Sequence, residues 1–508
     1  MSGPREIELK LEAGLHDMAA LAEHPLLRTG EAQDTAVLSA TYFDTADRDL
    51  AAAGLTLRVR RTPTGHVQTV KAAAAGAGLF DRPEWEWPVE GPEPDLAALA
   101  ATPAAAILAD AKGAGLHAVF ATVVERTTRP VRYGESRISV TLDQGRVETP
   151  DGDVPLCEVE LELVEGRAAD LFGLAQALAE TVPLRLGALS KSERAFALLD
   201  GTLRRPSKAR AVRLEETATA GDAFLAIAQA CLRHLRRNED VFLHGRDPEA
   251  LHQMRVALRR LRSAFTLFKA MLAGDATAQH LRAEIKRVSE PFGQARNIDV
   301  FLSETLPAEI ARRPDEASLT ALRETLEGER LRAYDVVLSI LEAAEWRGLV
   351  LDLAAWIETG PWRAQGASAA PARDVAAAIL ERARRRIKKG GRHLDRLDAD
   401  ARHRVRIEAK KLRYGAEFFG SLYAGKKTAK RHKAFVAALS DLQDHLGALN
   451  DLATAHGIVS GLLVTQADGE ALFAAGLTAA DGDAGAGALL EAAAEAHEAL
   501  IDVTPFWR

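Results

Sequence analysis

Three short runs of this chain set charged residues two apart: Glu6-Ile7-Glu8-Leu9-Lys10, Leu57-Arg58-Val59-Arg60 and Cys157-Glu158-Val159-Glu160-Leu161-Glu162. Polar and apolar residues alternate through each, the period of a half-buried strand. In a strand, residues two apart share a face, so Glu6, Glu8 and Lys10 point one way and Ile7 and Leu9 the other. Carboxylate oxygens bind hard cations such as Mg²⁺ or Mn²⁺. Arginine and lysine bind phosphate oxygens. Together these faces suit a polyanion chelated to a divalent metal, such as a triphosphate.

The elements around them repeat the pattern. Ser39-Ala40-Thr41-Tyr42-Phe43-Asp44-Thr45, Thr69-Val70-Lys71, Glu84-Trp85-Glu86-Trp87 and Ile138-Ser139-Val140-Thr141-Leu142-Asp143 all read as strands, after a short helix near 16–22. Two arrangements fit them. In one, the charged faces meet water on an open antiparallel sheet, the ordinary reading for any single strand. In the other, they line a wet barrel whose apolar outside is covered by helices. The second draws support from the set as a whole. Three glutamates in register (Glu158, Glu160, Glu162) repel unless cations neutralise them, and Trp85 and Trp87 demand burial opposite Glu84 and Glu86.

At 508 residues the chain is too long for one ordinary core. Its 47% hydrophobic and 27% charged residues are those of a soluble globular protein. Cys157 and Cys231 lie far apart, which excludes a disulfide framework or cysteine-rich metal site and fits a reducing cytoplasm. No run approaches a membrane span, alanine-rich stretches such as 72–75 being short, and the acidic N-terminus does not read as a signal peptide. The net charge of −7 averages unlike parts, because the basic residues concentrate in two later segments.

Glu6-x-Glu8-x-Lys10, Tyr42-Phe43-Asp44-Thr45, the Arg58/Arg60 pair, Glu158-x-Glu160-x-Glu162 and Ser190-Lys191-Ser192-Glu193-Arg194 occur in that order. This ordered set resembles the CYTH domain, the triphosphate tunnel metalloenzyme fold, over nearly all of residues 1–205. The resemblance implies an eight-stranded antiparallel tunnel, dependence on a divalent metal, and hydrolysis or cyclisation of triphosphates. It makes Glu6, Glu8, Glu158 and Glu160 metal ligands, with Glu84, Glu86 and Asp143 looser matches to acidic positions. It makes Arg58, Arg60, Lys71, Arg126, Lys191 and Arg194 phosphate clamps, and gives Lys10 the orientation or activation of the attacking group, beside Glu6 and Glu8. A close basic pair common in the family near 123–128 is incomplete: Arg126 fits, and Arg129 has the wrong parity to share its face. Phosphoryl transfer proceeds mainly by positioning and charge neutralisation. One metal would bridge phosphate oxygens while a second metal or an acid positions the nucleophile. Water as nucleophile gives a triphosphatase; a ribose 3′-hydroxyl gives a cyclase.

Leu203-Arg204-Arg205-Pro206-Ser207-Lys208 reads as the start of a linker, and beyond it the period becomes helical. Helices are expected over 219–237, 248–272, 278–292, 316–343, 373–388, 400–421, 429–447, 449–463 and 485–501, with a loop at 482–487. One run recurs: His252-Gln253-Met254-Arg255-Val256-Ala257-Leu258-Arg259-Arg260-Leu261-Arg262 returns as His403-Arg404-Val405-Arg406-Ile407-Glu408-Ala409-Lys410-Lys411-Leu412-Arg413. Each copy is followed by a glycine-containing segment, Gly293-Gln294-Ala295-Arg296-Asn297-Ile298-Asp299 and Gly447-Ala448-Leu449-Asn450-Asp451. A duplicated helical bundle follows. At 100° per residue, His252, Arg255, Arg259 and Arg262 share one face, as do His403, Arg406, Lys410 and Arg413. A single such helix would carry ordinary solvated charges. Two faces of nearly one sign are best tolerated where a polyanion neutralises them, and near phosphates the charged form of each histidine is favoured.

This half resembles the CHAD domain over roughly 217–508, through His252, Arg255, Arg259, Arg260, Arg262, Arg296, His403, Arg406, Lys410, Lys411 and Arg413. Asn297 stands where the family commonly has an acid. The resemblance implies binding of long-chain inorganic polyphosphate in a basic channel and association with polyphosphate granules, without catalysis by this half. Nucleic acid is the rival polyanion, but little aromatic interleaving for base stacking accompanies these faces.

The expectation is an α+β chain of two domains: an N-terminal antiparallel eight-stranded β-tunnel with flanking helices (1–205), a linker (206–216) and a C-terminal all-α duplicated helical bundle (217–508). Inorganic triphosphate is the expected tunnel substrate, with Mg²⁺ or Mn²⁺ and a cytoplasmic, granule-associated location. The alternatives are a nucleotide or thiamine triphosphatase, an adenylyl cyclase, or a non-catalytic polyphosphate-binding scaffold.

Overall fold

A computed structural model describes residues 5–28, 34–72, 78–110, 115–464 and 469–508. Past Ala72, the alanine-rich run at 72–75 lies outside them. The alternating runs form β1 (Arg5–Glu12), β2 (Asp34–Asp44), β3 (Leu55–Thr62), β4 (Gly65–Ala72), β5 (Leu79–Val89), β6 (His117–Tyr133), β7 (Ser136–Thr149) and β8 (Gly152–Glu165). They pair antiparallel in the order β5-β4-β3-β2-β6-β7-β8-β1, and β5 pairs with β1 to close an eight-stranded barrel. The two-residue β9 (Arg185–Leu186) adds to β1. An eight-stranded barrel has an interior wide enough for one small ligand.

Side-chain parity decides which face is which. Leu9, Leu11, Leu57, Val59, Val70, Val140, Leu142, Val159 and Leu161 are buried on the outside. They are covered by α1 (Asp17–Ala22), α2 (Asp49–Ala52), α3 (Leu96–Leu99), α4 (Ala104–Asp110), α5 (Ala168–Ala179) and α6 (Lys191–Leu199). One outer cluster joins Phe43, Leu50, Leu55, Leu57 and Leu99, with Trp85 and Trp87 packed on it. That settles the open-sheet alternative: the charged faces turn inward. The register then sets Glu8 opposite Glu162, Lys10 opposite Glu160 and Glu12 opposite Glu158, with Arg126 opposite Asp143.

The remainder is helical: α7 (Ala220–Gly245), α8 (Pro248–Leu267), α9 (Ala276–Val300), α10 (Leu306–Arg312), α11 (Ser318–Glu342), α12 (Ala344–Thr359), α13 (Ala372–Gly390), α14 (Ala399–Phe419), α15 (Lys426–Val464) and α16 (Gly469–Asp502). A π-helical turn, Phe301–Thr305, separates α9 from α10. Two expectations are corrected. Helices expected at 429–447 and 449–463 are one, α15. The loop expected at 482–487 is helical, inside α16. A glycine disfavours helix by only about 1 kcal/mol, and α16 packs along α15. The sequence reading also missed α12, because Trp346, Leu349, Val350, Leu351, Leu353, Ala354, Trp356 and Ile357 are all buried. A helix apolar on most sides shows no 3.6-residue stripe.

Packing divides the chain into two compact units. The first holds Met1–Ser207, Leu232–Gly245 and Leu341–Gly360; the second holds Lys208–Cys231, Arg246–Ile340 and Pro361–Arg508. The first unit is thus discontinuous in sequence: it takes in the second half of α7 and all of α12, both beyond the linker expected at 206–216. No described helix is long and apolar enough to cross a membrane.

Candidate functional site

The barrel encloses a cavity of about 420 Å³, walled by Glu6, Glu8 and Lys10 of β1, Arg58 and Arg60 of β3, Lys71 of β4, Glu84 and Glu86 of β5, Arg126 of β6 and Glu160 of β8, together with Lys191. Lys191 is delivered by α6, whose start is fixed by a capping box between Ser190 and Glu193. These expected residues are therefore brought together.

Others stand deeper. Asp143 and Glu158 are fully buried and do not reach the cavity surface. Arg194 does not line it either; its guanidinium donates to Glu12 at 2.9 Å. Arg129, of the opposite parity, donates to the carbonyls of Ala22 and Leu27. The sequence reading missed Arg82, Tyr42, Thr56, Thr69 and Thr141 as lining residues, and placed Glu162 on the inward face without giving it a role. Parity would have found most of them, since Arg82 alternates with Glu84 and Glu86, Thr56 with Arg58, Thr69 with Lys71, and Thr141 with Asp143.

The charges fall into two groups. At the inner one, Lys10 lies 3.0 Å from both Glu158 and Glu160. Lys191 lies 2.8 Å from Glu158, 2.6 Å from Glu160 and 2.9 Å from Asp143. Arg126 bridges Asp143 (2.6 Å) and Glu160 (2.9 Å). Burial alone would raise all three carboxyls, but Lys10, Lys191 and Arg126 hold Glu158, Glu160 and Asp143 below their ordinary values. Burial likewise opposes the charge on Lys10 and Lys191, and the surrounding carboxylates raise both.

The outer group is less compensated. Lys71 lies 2.9 Å from Glu6 and 3.0 Å from Glu84, and Arg82 lies 3.4 Å from Glu6. Burial and then Glu160 push Glu8 up, and one of its oxygens is buried with no hydrogen-bond partner. Burial, Glu6 and Glu8 push Glu162 up. Arg58 and Arg60 each bury an Nε without an acceptor.

The donor set is a hard-cation set. Among the described residues no three carboxylate, histidine or cysteine groups converge as a ready-made metal centre. Glu6, Glu8 and Glu162 nonetheless fit a divalent ion that shares its coordination with phosphate oxygens and water, the usual habit of Mg²⁺. Asp143 and Glu158 fit it poorly, being fully buried off the cavity surface.

In the second unit, α8 and α14 present their basic faces to common neighbours. Arg255 reaches the carbonyl of Gly293 (3.3 Å) and Asn297 (3.4 Å) on α9. A Cβ at Gly293 would touch the Arg255 guanidinium at 3.5 Å. Arg259 donates to the Tyr414 hydroxyl at 2.7 Å, and His403 lies 3.2 Å from Asn450. Burial and the neighbouring Arg259 and Arg406 hold Arg255 at about 10. Burial, Arg259, Arg406 and Arg255 push Lys410 down to about 6, Asp451 alone opposing. His252 is lowered by burial and by Arg296, so with no anion present it is not the cation expected at neutral pH.

Three residues of the basic runs are engaged elsewhere. Arg260 faces the core, paired with Glu417 and stacked 4.7 Å over Phe418. Lys411 pairs with Glu408, and Arg413 with Glu417. Arg262 and Arg296 are partly exposed. Asp451, within the field of Arg255, Arg406 and Lys410, was missed because an acid on a basic face carries no local signal.

Two family models match the chain, CYTH over residues 4–196 and CHAD over residues 226–460. An inorganic triphosphatase of Haemophilus influenzae is 30% identical over 200 residues, covering 38% of this chain. The match spans 55% of the length of that relative. The crystal structure of the CHAD domain from the plant Ricinus communis is 32% identical, with a TM-score of 0.51, over 58% of this chain and 96% of that one. A Hippeastrum protein described as having a dominant triphosphatase activity is 20% identical with a TM-score of 0.30, over 39% of this chain and 97% of that one, too distant to bear on activity. The chain therefore carries a CYTH domain and, after it, a CHAD domain.

Proposed function

We propose that the barrel hydrolyses inorganic triphosphate with Mg²⁺ or Mn²⁺, and that the helical half binds long inorganic polyphosphate and holds the enzyme at polyphosphate granules in the cytoplasm. One observation carries the first part: a closed barrel whose 420 Å³ cavity is lined by carboxylates together with lysines and arginines. An apolar or singly charged ligand would leave these groups unmatched; a metal-chelated chain of phosphates matches both signs. The inorganic triphosphatase relative favours an unesterified chain.

Arg58, Arg60, Lys71, Arg82 and Arg126 grip phosphate oxygens, holding the chain in line for attack. Lys191 and Lys10 stand at the inner end. Lys10 is raised by its carboxylate neighbours, so it stays protonated and serves as a hydrogen-bond donor to developing charge, not as a base. Glu6, Glu8 and Glu162 would hold the divalent ion, which when bound neutralises phosphate charge and lowers the pKa of coordinated water. Glu158 and Asp143 fix the two lysines and Arg126.

The helical half's reading rests on the crowding of Arg255, Arg259, Arg406 and Lys410. Their mutual repulsion is relieved by a polyanion, and few rings lie there for bases to stack on. One assay panel tests the hydrolytic part. Triphosphate, ATP and thiamine triphosphate are offered with each metal, beside Glu6→Gln; no metal-dependent turnover of any of them overturns the hydrolase and leaves a polyphosphate scaffold. Cyclic AMP from ATP would favour a cyclase.

A further inference from the structure

One step deeper on the same wall of β1 stands Glu12, two residues beyond Lys10 and opposite Glu158 in register. Neither Glu12 nor its partners reach the cavity. Arg194 donates to Glu12 at 2.9 Å, and Arg236 of α7 lies 3.7 Å from its other oxygen. Arg236 is 1% exposed, donates to the Leu186 carbonyl at 2.9 Å, and pairs with Glu239 at 2.6 Å. Glu239 is held in turn by Arg185 at 2.7 Å. All of these residues belong to the first unit, although Arg236 and Glu239 lie in sequence matched by the CHAD model.

A carboxylate buried beside another needs a cation. Without Arg236, Glu12 would keep Arg194 alone against burial and the charges of Asp240 and Glu158. Arg185, opposite Glu12 across β9, is held by Glu239 and the Leu341 carbonyl; the next cation on Glu12's own face of β1 is Lys10, carried by a flexible four-carbon stem. We propose that Arg236 is a positioning residue of the tunnel: by neutralising Glu12 together with Arg194, it leaves the Lys10 ammonium committed to Glu158 and Glu160 at the inner end of the cavity. Arg236 touches no substrate and acts through Glu12. The inference rests on the hydrolytic reading above, and it makes the second half of α7 part of the tunnel's machinery.

The test uses the full chain with Arg236→Met, Glu12→Gln and the double variant, and reads metal-dependent phosphate release from triphosphate. Arg236→Met is expected to lower kcat by about 100-fold, the scale of misplacing a reacting group by an ångström, with a smaller change in KM. Glu12→Gln in the same chain removes the charge that competes for Lys10 and is expected to return most of the loss. A merely structural role would lower the unfolding midpoint and the active fraction while leaving kcat per folded enzyme unchanged. Wild-type kinetics in Arg236→Met, or a loss that Glu12→Gln does not relieve, overturns the proposal. If Arg236→Met does not fold, a folded, active double variant supports it and an unfolded one overturns it. If the wild-type chain turns over no triphosphate, unfolding midpoints of the same variants decide. Non-additive effects keep the Glu12–Arg236 link while the hydrolytic reading fails; additive effects overturn the link itself.

Discussion

The Lys10 ammonium lies 3.0 Å from the Glu158 carboxylate, its diagonal neighbour between β1 and β8, and both side chains are almost wholly buried. Glu158 also receives Lys191 at 2.8 Å. This carboxylate therefore serves the cavity without reaching it, by fixing two cations at the inner end.

Glu158→Gln is expected to lower stability by about 3 kcal/mol, the usual loss when one member of a buried ion pair is removed, measured by urea unfolding. The pH dependence has a definite sign. Glu158, Glu160 and Asp143 are held below their ordinary values of 4.5, 4.5 and 3.8. Their contribution is present above those values and is lost as pH falls through the lower folded ones. Acid unfolding should be shallower in Glu158→Gln, and an unchanged profile would contradict the pairing.

Glu8 and Glu162 behave oppositely. Both are held above 4.5, so ionising them opposes folding once pH exceeds their folded values. A divalent ion between them relieves that opposition. Mg²⁺ or Mn²⁺ should raise the melting temperature at neutral pH, by roughly 2.7 kcal/mol of stability at 100 times Kd, and hardly at all in acid. Glu8→Gln and Glu162→Gln should each blunt the gain; Asp143→Asn should not.

Within the basic runs, Arg255 and Arg406 should separate from Arg260. Alanine at either of the first two is expected to weaken polyphosphate binding by about tenfold, as for a charge-assisted contact of roughly 1.5 kcal/mol. Arg260→Ala loses the Glu417 pair and the Phe418 stack. It should lower the melting temperature with little change in affinity. Isothermal titration beside thermal unfolding distinguishes the two outcomes.

Lys410, at about 6 in the free chain, is mostly uncharged at neutral pH. A polyanion favours its protonated form, so binding takes up a proton above pH 6. Affinity should fall as pH rises through neutrality and level off below 6, and Lys410→Met should flatten that slope. A titration calorimeter reads the proton uptake directly in buffers of different ionisation enthalpy.

Much of this was legible before any folding was considered. The side-chain period of a strand is two, so Glu6, Glu8 and Lys10, or Arg58 and Arg60, share a wall wherever the strand goes. The excluded parity of Arg129 held for the same reason. The same rule applied to Arg82, Thr56 and Thr141 would have named three more lining residues. Helical period placed His252, Arg255, Arg259 and Arg262 together; Arg260 entered only through the resemblance, and it faces the core.

By itself, the sequence determined which charged residues stand side by side on each element, and in what order the elements carrying them come. Those are local properties, set by backbone geometry over a few residues. Only the tertiary structure decided which charges neutralise one another: that Lys10, Lys191 and Arg126 saturate Glu158 and Asp143, while Glu8 and Glu162 are held above their ordinary values. Only it brought Arg236 to Glu12. Such choices depend on the register between strands far apart in the chain and on how deeply each pair is buried, and neither leaves a mark on neighbouring residues.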